Sequence, residues 1–415
     1  AVSDGTAGLL AYLSCILASA VILPLPEQLG EDRLNNVIST YRPAYVVSKG
    51  SINLPDGVGV KSVRQLTLFS KALLLYEIEN PTKDIPSELA LLLSTSGSTG
   101  DPKLVKLTEK NIEYNTHAIC KSLALHANDV TITLLPLNYS FGISVVNSHI
   151  VSGGRIVCTD AGVVTKEFWE KISDEKVTAL YGVPYQFEAM HRFKILSKEF
   201  PDIRFFAQAG GSLKEKVKIA FHDACVSADK KFYIMYGQTE CSPRISCFSV
   251  TENSDKIDSV GRPLAGCDVS INAEDNEIIV SGKTVFFGYA ETISDICKLQ
   301  PIIKHRTGDV GFIDSDGFLY VTGRLKRYVK VFGHNINLDQ VEKVLNEKFT
   351  NVVVCGPENM IVIFCDNKDK QKEEILNFVR DSFAVPMQAV KYNFVESVPR
   401  LSSGKVDYAK LMTTI

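Results

Sequence analysis

Residues 91–108 read LLLSTSGSTGDPKLVKLT. Two glycines, Gly97 and Gly100, and the hydroxyls of Thr95, Ser96, Ser98 and Thr99 lie between two apolar runs, with Lys103 near the second. Glycine lets a backbone approach a ligand closely. Successive N–H groups and hydroxyls can then point at oxyanions, and the lysine adds positive charge. The stretch Thr95 to Lys103 therefore suits a loop that wraps a polyphosphate. It departs from the common nucleotide loop GxxxxGK[ST], which runs from a strand into a helix. Here Asp101-Pro102 separates Gly100 from Lys103, and Leu104 occupies the place of the magnesium-holding Ser or Thr. Leu104-Val105-Lys106-Leu107 then alternates like a strand. The loop joins two strands, and a kinase or GTPase reading loses its main support. Alone, the segment is also compatible with a plain Gly/Ser turn.

Outward from this loop, short apolar runs alternate with amphipathic stretches. Leu89–Leu93, Val130–Leu135, Arg155–Cys158, Ala179–Tyr181, Arg204–Ala207 and Phe232–Met235 read as strands. Thr108–Leu125, Lys166–Ile172, Pro184–Leu196 and Lys214–Val226 read as helices. This alternation predicts α/β sheets with helical cover. After about Gly261 the texture becomes β-rich, with strands at Val269–Asn272, Glu277–Val280, Val310–Ile313 and Phe318–Thr322. A third unit begins near Arg324, with a helix from Leu338 capped by Asn337, two strands and a second helix over Glu373–Phe383. The predicted fold is α/β: a large N-terminal domain over residues 1–325, made of α/β sheets plus a β-rich subdomain, then a small α+β domain over 326–415.

Other motifs join the loop. Tyr236-Gly237-Gln238-Thr239-Glu240 follows an apolar strand. It offers an aromatic that can stack on a base, a hydroxyl, and a carboxylate able to hold Mg²⁺, which prefers oxygen ligands. Arg306-Thr307-Gly308-Asp309 carries a carboxylate suited to ribose hydroxyls. Gly323-Arg324 precedes Lys330 and Gly333, and Ser402-Ser403-Gly404-Lys405 sets a lysine near the C-terminus.

In this order, the motifs resemble the adenylate-forming superfamily: acyl- and aryl-CoA synthetases, peptide-synthetase adenylation domains and luciferases. The resemblance extends from Asp4 to Asp407 and is closest to a short acyl ligase. It implies ATP and Mg²⁺ as cofactors, and CoA or the phosphopantetheine of a carrier protein as acceptor. It implies that Thr95 to Lys103 hold phosphate and that Gly210 and Gly211 border the adenine. Tyr236, in the Gly237-Gln238 turn, would stack on that base. Thr239 would contact the α-phosphate, Glu240 bind Mg²⁺, Asp309 bind ribose and Arg324 assist. Lys326 would be the hinge of a mobile C-terminal domain that carries the catalytic Lys405. Lys330 and Gly333 would serve the thiol step. The chemistry explains the residue types: a carboxylate must meet the α-phosphate of ATP, so cations must offset the charge that develops.

The acyl pocket is expected around Tyr139, Phe141, Gly142 and Ala209. Many CoA ligases carry histidine where Tyr139 stands, and peptide synthetases carry Phe-Asp where this chain has Phe141-Gly142. An ammonium without its carboxylate partner is costly to bury, so a simple carboxylic acid is favoured over an α-amino acid. Leu104 also replaces the family's usual glycine. Two other readings are an adenylating enzyme with a non-thiol acceptor, and a non-catalytic nucleotide-binding module. The second is disfavoured because Lys103, Glu240, Asp309, Arg324 and Lys405 are all present.

Composition sets outer bounds. The 415 residues carry a net charge of −3, with 22% charged and 45% hydrophobic residues, which suits an ordinary globular protein without the basic surplus of a nucleic-acid binder. Ten cysteines contain no CxxC pair, and no HExxH is present. They read as thiols of a reducing cytoplasm rather than a disulfide or zinc framework. The apolar run Gly8–Leu25 ends at Pro24 and Pro26 and has no basic flank. It reads as a buried helix leading into a buried strand, not as a membrane span. The chain opens without Met, inside what reads as a fold unit, so preceding residues are expected.

Overall fold

The computed structural model describes residues 5–26, 29–68, 71–94, 103–197, 200–332, 334–349, 351–366, 372–383, 385–401 and 404–415. At its centre lies a seven-stranded sheet in the spatial order Arg262–Pro263, Arg244–Ser249, Lys231–Gly237, Phe205–Gln208, Ala179–Gly182, Val130–Ile132, Arg155–Val157. The last five are mutually parallel, whereas Arg244–Ser249 runs antiparallel to Lys231–Gly237. The parallel strands are buried apolar runs, as sheets covered on both faces require. Phe168, Phe187, Phe221 and Phe232 are fully buried in one core cluster beside this sheet. Truncating one of these rings would cost about 3–5 kcal/mol.

The loop's two flanking segments form strands Leu89–Ser94 and Leu104–Thr108, paired antiparallel. The strand-to-strand setting is therefore as expected, while Thr95, Ser96, Gly97, Ser98, Thr99 and Gly100 lie outside the described residues. Thr108 caps the helix Glu109–Ser122: its hydroxyl accepts from Asn111 N, and Asn111 Oδ1 accepts from Thr108 N. Asn111 Nδ2 also donates to the carbonyls of Lys283 and Val285, joining this helix to the β-rich part. That part is an antiparallel sheet of Cys267–Ile271, Glu277–Gly282, Lys304–Ile313 and Leu319–Arg324. The C-terminal unit contains the hairpin Tyr328–Val331/His334–Asn337, the helices Leu338–Lys348 and Lys372–Phe383, and the sheet Val352–Cys355, Ile361–Cys365, Val390–Phe394. Its own core includes Val341, Leu345, Ile363 and Ile375. Asn337 Oδ1 accepts from Asp339 N and Gln340 N, the cap expected from the sequence.

Three readings of the sequence need correction. The helix Gly5–Leu17 is present, but the strand expected after it is only a bridge from Ile22 to Leu91. Pro24 and Pro26 have no N–H to extend the ladder. The helix from Pro184 ends at Arg192, because Lys194 takes a positive φ of 52° before a short 3₁₀ turn. The strand expected at Val310 begins at Lys304, which puts Arg306–Asp309 inside the sheet. Among the described residues no helix is long and apolar enough to cross a membrane.

Candidate active site

The strand Lys231–Gly237 ends in a turn that only glycine permits. Gly237 pairs with Arg244, and a Cβ there would lie 2.1 Å from the Pro243 carbonyl oxygen. Gln238 N donates to that carbonyl at 2.9 Å. The following 3₁₀ turn, Thr239–Cys241, sets Thr239 and Glu240 beyond the carboxyl end of the parallel strand. The neighbouring strand Phe205–Gln208 ends at the same edge and leads into Ala209, Gly210 and Gly211. This edge is where open α/β sheets bind ligands.

Helix Ser140–Val151 meets that edge with its N-terminus. Its apolar residues are spread around the helix and most of it is buried, polar Ser140, Ser144, Ser148 and His149 included, so it has no amphipathic period by which sequence reading finds a helix. Tyr139 is its N-cap, and Phe141 and Gly142 form its first turn. Ala209 is buried. Gly210 has φ +90°, and a Cβ on it would lie 2.6 Å from the Tyr139 hydroxyl. The expected acyl residue and the expected adenine loop are thus in direct contact. Ser140 Oγ shares a hydrogen bond of 3.1 Å with Thr239 Oγ1.

The sheet Lys304–Ile313 brings a second group to the same place. Asp309 is 3% exposed. Its Oδ2 accepts from the Tyr236 hydroxyl and from Gln238 Nε2, each at 2.6 Å. Its Oδ1 pairs with Arg324 Nε at 3.0 Å. Gln238 Nε2 also donates to Thr307 O, and His305 Nε2 meets Gln238 Oε1 at 3.1 Å. Burial holds the His305 imidazole below its usual range, against the pull of Glu240, Glu277 and Asp309. The neutral ring donates Nε2–H to Gln238, which turns the amide NH₂ toward Asp309. Asp309 is thus held through both oxygens, Oδ2 by Tyr236 and Gln238 and Oδ1 by Arg324, and a carboxylate oxygen with one donor can accept a further hydrogen bond from a ligand hydroxyl. His305 belongs to no motif in the sequence, although it stands two residues before Thr307 on the same strand face. Tyr236 is half-buried, and burial followed by the charge of Asp309 pushes its hydroxyl well up.

Glu240 Oε1 accepts from the Tyr289 hydroxyl at 2.8 Å. Lys103 Nζ pairs with Glu291 at 2.6 Å and lies 6.0 Å from the Tyr289 ring centroid. Lys103 and Glu291 are both exposed, so their pair is weak and open to displacement by a more highly charged anion. Ser140 and Tyr289 were also missed in the sequence, which gives isolated hydroxyls no pattern. Glu240 and Thr239 are hard oxygen donors suited to Mg²⁺. No group of three or more His, Cys, Asp or Glu side chains gathers as a metal site among the described residues. Such a donor set fits Mg²⁺ bound through one carboxylate and the phosphates of its substrate.

Lys405 comes from the C-terminal unit. Its Nζ lies 5.6 Å from the centroid of Tyr139, half-buried. Burial pulls its ammonium down to about 8, helped by the positive charge of Arg324 and opposed by Asp309 and Glu240. Beside it, a Cβ on Gly404 would lie 3.0 Å from Val183 Cγ2, and the Arg400 guanidinium lies 5.1 Å from the Tyr185 ring centroid. Lys326 is exposed in the 3₁₀ turn Leu325–Arg327. Lys330 is exposed on the following hairpin, and Gly333 lies outside the described residues. A separate surface groove lined by Val164, Trp169, Phe193 and Phe200 shares no residue with these motifs.

The sheet's strand ends thus gather Tyr236, Gln238, Thr239, Glu240 and Asp309, and the C-terminal unit brings Lys405 to the same place. Residues 4–290 match the family model described as AMP-binding enzyme, and the chain belongs to that family. It is similar to oxalate–CoA ligase of Saccharomyces cerevisiae, 26% identical over 343 residues, with 77% of this chain and 62% of that protein covered. The chain thus spans less than two thirds of that relative's length. Similarity to feruloyl-CoA synthase of an Amycolatopsis species is 24% over 421 residues, covering 95% of this chain and 83% of the other. The fold matches O-succinylbenzoate coenzyme A synthetase of Bacillus subtilis, solved with ATP and magnesium. That match has a TM-score of 0.72 and 19% identity, over 97% of this chain and 86% of that one.

Proposed function

We propose that the protein is an AMP-forming ligase that activates a small carboxylic acid as its acyl-adenylate and passes the acyl group to the thiol of CoA. The observation that carries this reading is the convergence of Lys405 with Tyr139, Thr239, Glu240 and Asp309 at one strand edge. The carboxylate oxygen of the acid attacks the α-phosphorus of ATP, and the bond to the β-phosphate oxygen breaks. Pyrophosphate leaves, and Lys405 offsets charge on the reacting phosphate. Thr239 hydrogen-bonds the α-phosphate, while Asp309, held by Tyr236, Gln238 and Arg324, holds the ribose. Glu240 would hold Mg²⁺, with Thr239 beside it, and the ion would supply further neutralisation of the phosphate charge. Gly210 and Gly211 border the adenine, Tyr236 stacks on it, and Thr95 to Lys103 enclose the β- and γ-phosphates. The thiol sulfur then attacks the acyl carbon, and AMP departs with its new oxygen.

The second step uses the hinge at Lys326 and the loop of Lys330 and Gly333. The immediate neighbours of Lys326 support a boundary between 325 and 326. On one side Arg324 holds Asp309 of the large domain. On the other, Arg327 is buried in the small one, bonded to Asp339, Glu342 and the Val354 carbonyl. A carrier-protein pantetheine is the alternative thiol, and a net charge of −3 gives no basic surplus that would favour nucleic acid. The cysteine pattern is consistent with a cytoplasmic setting. ATP–pyrophosphate exchange over a panel of acids tests the first step, with AMP release in the presence of CoA or of a phosphopantetheinylated carrier testing the second. Acid-dependent exchange is expected. ATP binding without exchange for any acid would remove the ligase reading.

A further inference from the structure

Among the described residues, one cation beside this site has no counter-ion. Arg244 begins the strand next to Gly237 and is 3% exposed. Its guanidinium lies 4.6 Å from the Phe141 ring centroid, and its one side-chain hydrogen bond is a long contact of 3.4 Å from Nη2 to Ser144 Oγ. Its Nε is buried without a partner, and among the described residues no carboxylate forms an ion pair with it. The titratable groups that bear on it are Cys247, Tyr139 and Tyr181. Burial pushes all three upward, so they are neutral at physiological pH. Arginine remains charged in proteins, and an unpaired buried charge is expensive.

The surroundings repeat the pattern. The Tyr181 hydroxyl is buried without a partner, and its ring stands edge-on to Phe141 at 6.3 Å. Behind it, His149 Nδ1 meets the Val145 carbonyl while Nε2 is unpartnered. Phe141 in turn is edge-on to Tyr139 at 6.2 Å, whose ring faces Lys405. Arg244 is therefore linked to Lys405 through two rings, Phe141 and Tyr139, and lies against the helix turn that carries the expected acyl-pocket residues Phe141 and Gly142.

We infer that Arg244 recognises a second carboxylate on the substrate acid, with the unpartnered guanidinium edge as its binding group. The inference rests on the ligase reading. A charge-assisted pair with arginine is strong and directional, and a site built to bond a polar group discriminates sharply against analogues that lack it. The same cation repels the ammonium of an amino acid, which agrees with Gly142 standing where an aspartate would bind that group.

The test compares each dicarboxylic acid with its own monoamide, an isostere without the charge, in ATP–pyrophosphate exchange. Succinate against succinamate and phthalate against phthalamate are suitable pairs. The wild-type protein is expected to favour at least one diacid over its amide by a hundredfold or more in kcat/KM. In Arg244→Met that ratio is expected to fall below tenfold, and in Arg244→Lys to be partly restored. Exchange with monocarboxylates or amides at the diacid's rate would overturn the inference and leave the ligase reading standing. No exchange with any acid would instead overturn the ligase reading and, with it, this inference. The wild-type comparison decides the question even if both variants fold poorly.

Discussion

Lys405 carries the clearest consequence of burial at one residue. Desolvation favours the neutral amine, so its ammonium titrates near pH 8 in the ligand-free protein. The protonated form is the one that can offset phosphate charge. It is abundant below that pH and disappears as the pH rises through it. For adenylation, kcat/KM reports groups of the free enzyme and is expected to fall above about pH 8. Lys405→Arg should remove that fall, because guanidinium does not titrate in this range. Lys405→Ala should reduce exchange by about 10²–10³-fold, the usual loss for one charge-stabilising group. A flat wild-type profile to pH 10, or full exchange by the alanine variant, would contradict the role. The sequence singled out Lys405 through its Ser-Ser-Gly-Lys setting. It did not single out Arg244, because the argument for that residue depends on its having no carboxylate partner among the described residues in three dimensions.

Among elements, the strand Lys304–Ile313 contributes three residues to the proposed nucleotide site. It presents His305, Thr307 and Asp309 in alternation, and Gln238 crosses to them from the neighbouring turn. Gln238→Leu leaves Asp309 and His305 each with one fewer partner. It is predicted to weaken ATP binding at least tenfold by calorimetry and to lower stability by about 1–3 kcal/mol. A variant with wild-type affinity would show that the amide does not orient the carboxylate. The parallel strands hold a second buried acid. Asp129 accepts from Arg204, His126 N and Thr178 Oγ1. Burial pushes its carboxyl up, but these donors outweigh burial and hold it below the ordinary carboxylate value. Its stabilising effect is therefore complete above that ordinary value and is lost as pH falls through the lower, folded-state value. In urea melts, Asp129→Asn should be less stable than wild type at pH 7, and the difference should shrink below pH 4. A difference that grows with acid would reverse the sign. At this scale the sequence revealed the strands of the parallel sheet, because their short apolar runs alternate with helices. It did not reveal helix Ser140–Val151, whose burial on all sides erases its period, nor the early start of strand Lys304–Ile313, whose charged residues resemble a loop.

At the scale of the molecule, two units share one site across a short connection. Arg324 reaches back to Asp309 while its own N–H bonds Asp339, and Arg327 is locked inside the small unit. In the proposed rotation of the small unit, Leu325 and Lys326 are the residues left to absorb it. Lys326→Pro disfavours the helical backbone of Leu325 before it and fixes the φ of position 326. It is predicted to retain exchange activity while thioester formation drops at least tenfold, as expected when a conformational step separates two half-reactions. Equal loss in both assays would argue that the turn serves stability alone. The change of pattern near Arg324 and the order of the motifs led to the expectation of a C-terminal unit with a lysine-bearing loop. Their contact, Lys405 over Tyr139 with Arg400 over Tyr185, did not, because it joins positions more than two hundred residues apart.

The central claim is that chemistry occurs at the α-phosphate of ATP, with the acid's own oxygen as nucleophile. It is tested by supplying an accepted acid labelled with ¹⁸O in its carboxylate, with ATP, Mg²⁺ and CoA, and locating the label by mass spectrometry. Transfer of one ¹⁸O into the phosphate of AMP is predicted. Label in inorganic phosphate, or none in AMP after turnover, would contradict the account.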